Sequence, residues 1–228
     1  MAINKDILYE IICRKVNDHW WKWLAYIIIY HDPTENFVCK SPKAKIDLVP
    51  KNKSLFRTPP NTGLPIGNLS SQFFGNIYLN ELDQYAKHQL KIKHYIRYAD
   101  DIIMLDQDPK MLNQNYQDMC SFVAHNLHIK FHPNKKQMNL IEKGVDFVGY
   151  IIKPHSKYLR RSTISNLYKK VEANGNNNLL VPSINSYFGM MRHADCFNER
   201  KRFVITFRDR KFKFDKYLTK VIKKKPNK

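Results

Sequence analysis

Two carboxylates stand side by side, Asp100-Asp101, between two apolar runs, and few folds accommodate that. Ile96 and Tyr98 precede the pair, and Ile102-Ile103-Met104-Leu105 follow it. The pattern predicts two β-strands within residues 92–106, joined by a turn at Ala99-Asp100-Asp101. Adjacent like charges repel unless a cation sits between them. Aspartate is also a good turn residue in its own right. On these residues alone, a solvated Asp-Asp turn and a site for a hard divalent cation such as Mg²⁺ both stand.

The hairpin is embedded in a mixed pattern. Apolar spacing predicts helices over residues 3–16, capped by Asn4 or Asp6, and over 19–30. A Pro- and Lys-rich loop covers 40–62. Gly63-Leu64-Pro65-Ile66-Gly67-Asn68 reads as a tight turn, after which Ser70 or Ser71 caps a helix running to about Leu90. A helix is expected at 109–126, and strands at 128–131, 137–141 and 144–152, with Pro133-Asn134 as a turn. From Arg160 the pattern becomes helical, at 162–173, 183–195 and 198–222, broken by Asn174-Gly175-Asn176-Asn177-Asn178. The fold class is therefore α+β, with a boundary near 155 separating 1–155 from 156–228.

Charge narrows the partners. A formal net charge of +19 over 228 residues points to a polyanion, and nucleic acid fits better than a membrane because the cations are spread along the whole chain. The end of the chain from Glu199 carries thirteen Lys or Arg against three acids. The longest apolar stretch, residues 20–30, is too short to cross a bilayer. Its three Trp can be read as a base-stacking platform, but a buried helix is the expectation. Cys13, Cys39, Cys120 and Cys196 fall in no metal spacing, and no secretory leader is visible; reduced thiols in a cytoplasmic protein follow. His125, His128 and His132 straddle a helix-to-strand change and read as unrelated. No phosphate-binding GxxxxGK[ST] loop, GxSxG elbow or CxxC pair is present.

Four motifs in order carry a family resemblance. Tyr98-Ala99-Asp100-Asp101 resembles the YxDD core of reverse transcriptases. Upstream, residues 63–74, with Gly67, Asn68 and Gln72, are similar to that family's template- and nucleotide-contacting motif. Downstream, residues 127–136 resemble the motif that places a lysine near the triphosphate, here Lys135 or Lys136. Residues 144–150, with Phe147, Gly149 and Tyr150, are similar to the primer grip. Ile66 and Gln72 at the ends of the second motif, and residues 183–194, look like the enzymes of diversity-generating retroelements; defence-related reverse transcriptases and group II intron enzymes share much of the pattern.

The resemblance implies a polymerase palm, an antiparallel sheet with helices packed on it, followed by a basic helical thumb. It implies RNA-templated DNA synthesis by two-metal nucleotidyl transfer with two Mg²⁺ ions. Asp100 becomes the main metal ligand and catalytic residue, and Asp101 its helper. Gly67, Asn68, Gln72 and Tyr98 face template or nucleotide, and Gly67 allows close backbone approach. Partners are an RNA template, a DNA or RNA primer, a dNTP and a small basic accessory protein. The aromatics of the thumb, Phe203, Phe207, Phe212, Phe214 and Tyr217, are expected to form its own core while Lys and Arg meet phosphate.

The same resemblance calls for another Asp on a palm strand ahead of Asn4, and for fingers, and neither is found within residues 1–228. Asp6 is better placed as a helix cap than as a substitute. An incomplete site, a poor or inactive polymerase in this chain alone, and an exposed sheet edge beside the hairpin are the expectations. A non-catalytic nucleic-acid-binding remnant is the alternative.

Overall fold

A computed structural model of the chain describes residues 3–38, 40, 42, 45–46, 48–50, 54–65, 67–174, 180–207 and 212–222. Cys39, Ile66, the expected break at 175–178 and the basic end 223–228 lie outside them. The fold is α+β, in two units, Met1–Lys135 and Lys136–Lys228.

In the first unit, helix α1 (Lys5–Lys15) starts at Asn4, whose side chain accepts the N–H groups of Asp6 and Ile7. Asn4 is therefore the cap, and Asp6 instead accepts the Tyr30 hydroxyl at 2.5 Å. Helix α2 (His19–Tyr30) is capped by Asp18. Helix α3 (Leu69–Gln84) has Asn68 at its N-cap position with no side-chain cap bond, which puts Ser70 and Ser71 inside the first turn rather than at its cap. A π-helical turn, Tyr85–Gln89, continues it. Strands β1 (His94–Tyr98) and β2 (Asp101–Leu105) form an antiparallel hairpin, and helix α4 (Pro109–Asn126) follows with Asp108 as cap.

Leu8, Ile11, Tyr78, Leu82, Met119, Val123 and Leu127 are fully buried at the centre of this unit. Each such side chain contributes about 1.5–3 kcal/mol relative to exposure. The Tyr78 hydroxyl donates to the Leu127 carbonyl, and burial pushes it up to about 12. Before α1, the chain is pinned by the Gly63 N–H donating to the Ile3 carbonyl at 2.8 Å and by an Asn4–Thr62 bridge.

Helix α2 differs from its expected burial. Trp20, Trp21 and Trp23 are 56%, 57% and 56% exposed, and only Ile29 is fully buried. The all-round apolar pattern argued for burial. The helix nevertheless packs through one side, where Tyr26 and Tyr30 meet Tyr9 of α1 edge to face.

The second unit opens with a meander: β3 (Val145–Phe147), β4 (Tyr150–Lys153) and β5 (Ser156–Leu159). The single strand expected at 144–152 is thus a hairpin, turned at Val148 (φ 49°) and Gly149 (φ 86°). Valine rarely accepts that conformation, which hid the turn from sequence. The strands expected at 128–131 and 137–141 do not form. Short 3-10 turns at Pro133–Lys135 and Ile141–Lys143 occupy this exposed stretch, and no neighbouring strand among the described residues pairs with it.

Helices α5 (Arg161–Asn174), α6 (Leu180–Arg192) and α7 (Phe197–Thr206) follow. The helix expected over 198–222 stops at Thr206, and a hairpin of β6 (Lys213–Phe214) and β7 (Val221–Ile222) replaces its second half. Asp215 organises it by accepting the Thr219 and Lys220 N–H groups and the Thr219 hydroxyl. Such local side-chain bonds compete successfully with a helix. Asn185 of α6 clamps the Val221 backbone through both its N–H and its C=O. Phe203 and Phe207 are buried, with Phe212 and Phe214 packed against them, as expected; Tyr217 is exposed.

Candidate active site

The hairpin β1–β2 pairs Tyr98 with Asp101, which leaves Ala99 and Asp100 as its two-residue loop. Ala99 lies at φ 52°, the left-handed region that costs a non-glycine residue about 1–2 kcal/mol. Side chains alternate between faces. Tyr95 and Arg97, with their partners Met104 and Ile102, face α3 and the core. Ile96, Tyr98 and Asp101 face the other way, and Ile96 and Tyr98 are mostly exposed. Asp100 and Asp101 are both exposed, and neither carboxylate has an ion pair or side-chain hydrogen bond among the described residues.

Beneath the turn lies a polar cluster. Arg97 Nε and Nη2 fork onto the Asp83 carboxylate, at 2.8 Å to Oδ1 and 2.6 Å to Oδ2. Its Nη1 donates to Asn76 Oδ1 at 3.1 Å and to the Ala99 carbonyl at 2.9 Å. The Tyr95 hydroxyl donates to Asp83 Oδ1 at 2.7 Å. Asp83 raises Arg97 above its ordinary value; burial and then Asp83 raise Tyr95. Neither Asp83 nor Asn76 was singled out from sequence. Their signal was present, since positions seven apart on a helix share a face.

Gly67 (φ 103°) and Asn68 precede α3, both exposed, and a Cβ added at Gly67 would meet nothing within 4 Å. Gln72 is exposed one helical turn before Asn76. The motif at 67–72 and the acidic turn are therefore linked through a single helix and Arg97, about 6 Å of rise from Gln72 to Asn76. Lys135 is exposed at the end of the first unit, and Lys136 is exposed at the start of the second. Phe147, Gly149 and Tyr150 form the β3–β4 turn region of the second unit. There the Tyr150 hydroxyl donates to the Met190 carbonyl, and Lys157 Nζ lies 5.2 Å over its ring.

A cleft of about 690 Å³ lies elsewhere in the first unit, lined by Ile11, Arg14, Glu81, Tyr85 and Phe122 among others. None of its lining residues belongs to the acidic turn.

A family model described as reverse transcriptase (RNA-dependent DNA polymerase) matches residues 8–152, more than half of the chain. The chain belongs to the reverse transcriptase family. A search of curated proteins finds no match. Membership makes the chain an RNA-directed DNA polymerase by family, a class that acts on template, primer and nucleotide. No helix among the described residues is long and apolar enough to cross a membrane.

The class works with Mg²⁺, and Asp100 and Asp101 fit such an ion in donor type: hard carboxylate oxygens, exposed and without an ion-pair partner among the described residues. Among the described residues no third His, Cys, Asp or Glu completes a metal-binding group with them. His125 and His132 are likewise separate, bonded to the Ser121 carbonyl and the Asn134 N–H.

Proposed function

We propose that this chain carries the acidic turn of an RNA-templated DNA synthesis by two-metal nucleotidyl transfer. One observation carries the reading: two adjacent, exposed carboxylates with no ion-pair partner among the described residues, on a turn that costs backbone strain, inside the region matched to the family. Asp100 and Asp101 would hold Mg²⁺, which when bound supplies activation of the primer hydroxyl and neutralises the triphosphate. The chain's own residues do the positioning. Gly67 opens the backbone to a base pair, and Asn68, Gln72 and Tyr98 meet template or nucleotide. Lys135 or Lys136 steadies the departing pyrophosphate, and Phe147, Gly149 and Tyr150 support the primer.

In this reading residues 1–155 are the palm and 156–228 the thumb, in a cytoplasmic enzyme of the diversity-generating retroelement or group II intron type. A small basic accessory protein is the proposed partner. Two neighbouring carboxylates are few for two ions, so in this reading a further acidic ligand joins Asp100 and Asp101 to complete the site.

The test is primer extension on a primed RNA template with Mg²⁺, for this chain and for a version carrying added upstream sequence. Extension that is weak in the first, strong in the second and abolished by Asp100→Ala supports the reading. Strong extension by the chain alone that disappears with Asp100→Ala would show that these residues suffice for a working site. Salt-sensitive RNA binding with no extension in either form would favour a non-catalytic nucleic-acid-binding remnant, a reading that the +19 charge also supports.

A further inference from the structure

The acidic turn is held from below. Arg97 sits on the core-facing side of the hairpin, opposite Asp101, so its guanidinium shares no face with that carboxylate. Its side chain is only 10% exposed. Two of its nitrogens are committed to Asp83, which Tyr95 fixes from a second direction. The remaining nitrogen reaches both Asn76 and the carbonyl of Ala99, the strained loop residue. Asn76 and Asp83 lie two turns apart on α3, the same helix that carries Gln72 and begins just after Gly67-Asn68.

We propose that Arg97 is the positioning residue of the acidic turn: anchored by Asp83 and Asn76, it holds Ala99 in the left-handed conformation and thereby sets the direction of Asp100 and Asp101 and their distance from Gln72. This rests on the polymerase reading only in that those two carboxylates are taken to bear the chemistry. Only a planar fork with several fixed donors can bind a carboxylate with two nitrogens and still reach a carbonyl with the third. A lysine at 97 keeps the charge and one bond to Asp83 and loses the hold on Ala99.

A residue that merely welds the hairpin to α3 would stabilise both elements alike. A residue that restrains Ala99 matters less when position 99 is glycine, which adopts positive φ without cost. The experiment is amide hydrogen exchange on the full chain, comparing wild type, Arg97→Lys, Ala99→Gly and the double variant. The strain of a left-handed alanine corresponds to about tenfold in an opening equilibrium. Arg97→Lys should therefore speed exchange at Asp101, the strand residue paired with Tyr98, by about tenfold with Ala99 present, and by less than about threefold with Ala99→Gly. Amides of α3 should keep their protection. Equal acceleration in both backgrounds, acceleration spread evenly over α3 and the strands, or no change at the turn would each overturn the proposal.

Mn²⁺ binding, followed by water-proton relaxation, separates the two claims. Arg97→Lys should weaken Mn²⁺ binding that Asp100→Asn also weakens. If Asp100→Asn leaves Mn²⁺ binding unchanged, the assignment of Asp100 as a metal ligand in this chain fails, while the exchange cycle still decides whether Arg97 holds the turn.

Discussion

At the scale of single residues, two glycines separate backbone demand from space. Gly67 and Gly144 both lie at positive φ, 103° and 82°. A Cβ at Gly67 would touch nothing within 4 Å, whereas one at Gly144 would meet Lys153 Cγ at 2.9 Å and the Ile152 carbonyl at 3.0 Å. Gly67→Ala should cost only the conformational strain, about 1–2 kcal/mol. Gly144→Ala adds a backbone clash and should cost about 2–4 kcal/mol. Urea denaturation of the two variants checks the order; equal losses would show that the Ile152 backbone yields freely. The glycines were legible in the sequence as turn residues. Which of them is crowded was not, because the crowding comes from β4, a neighbour that only strand pairing supplies.

At the scale of elements, α2 shows where periodicity misleads. Its composition is apolar on every side, yet only Ile29 is fully buried. Replacing Trp20, Trp21 and Trp23 one at a time by Gln should change the stability of this chain by no more than about 0.5 kcal/mol. Ile29→Ala should cost about 2–5 kcal/mol by leaving a cavity. Thermal or urea unfolding would read the contrast, and a large loss at any of the three Trp would mean that the helix is buried after all. The hairpin at 94–105 was legible because apolar runs flank the turn residues Ala99-Asp100-Asp101, and the helix at 109–126 has its expected bounds. The β3–β4 turn and the Asp215 hairpin were not. One places a valine at positive φ, and the other depends on a single carboxylate accepting bonds from residues four and five positions on.

For the whole molecule, the two units carry separate cores and separate titrations. In the first, burial raises the Tyr78 hydroxyl to about 12 from an ordinary 10.0. The unfolded chain therefore releases this proton first, so stability is complete below pH 10 and declines as pH rises towards 12. Tyr95 and Tyr30 are shifted in the same direction. In the second unit, burial pulls the Asp215 carboxyl up, but the bonds from Thr219 and Lys220 outweigh it and bring it down to about 2 from 3.8. Its contribution is complete above pH 3.8 and lost as pH falls through 2. Denaturation midpoints against pH should show Tyr78→Phe flattening the alkaline decline and Asp215→Asn flattening the acid one. An unchanged alkaline limb in Tyr78→Phe would rule that tyrosine out as its source.

By itself, the sequence determined the α+β class, the acidic hairpin, the basic character and the family, because each is written in local pattern or in an ordered set of motifs that survives without coordinates. Tertiary structure decided what lies under the hairpin. Asn76, Asp83, Tyr95 and Arg97 are separated by up to 21 positions in sequence, and they meet because a strand paired in one register turns Arg97 inward against one face of α3. Which side chain faces a neighbour across such a gap depends on register and packing, and neither is a property of any local stretch of chain.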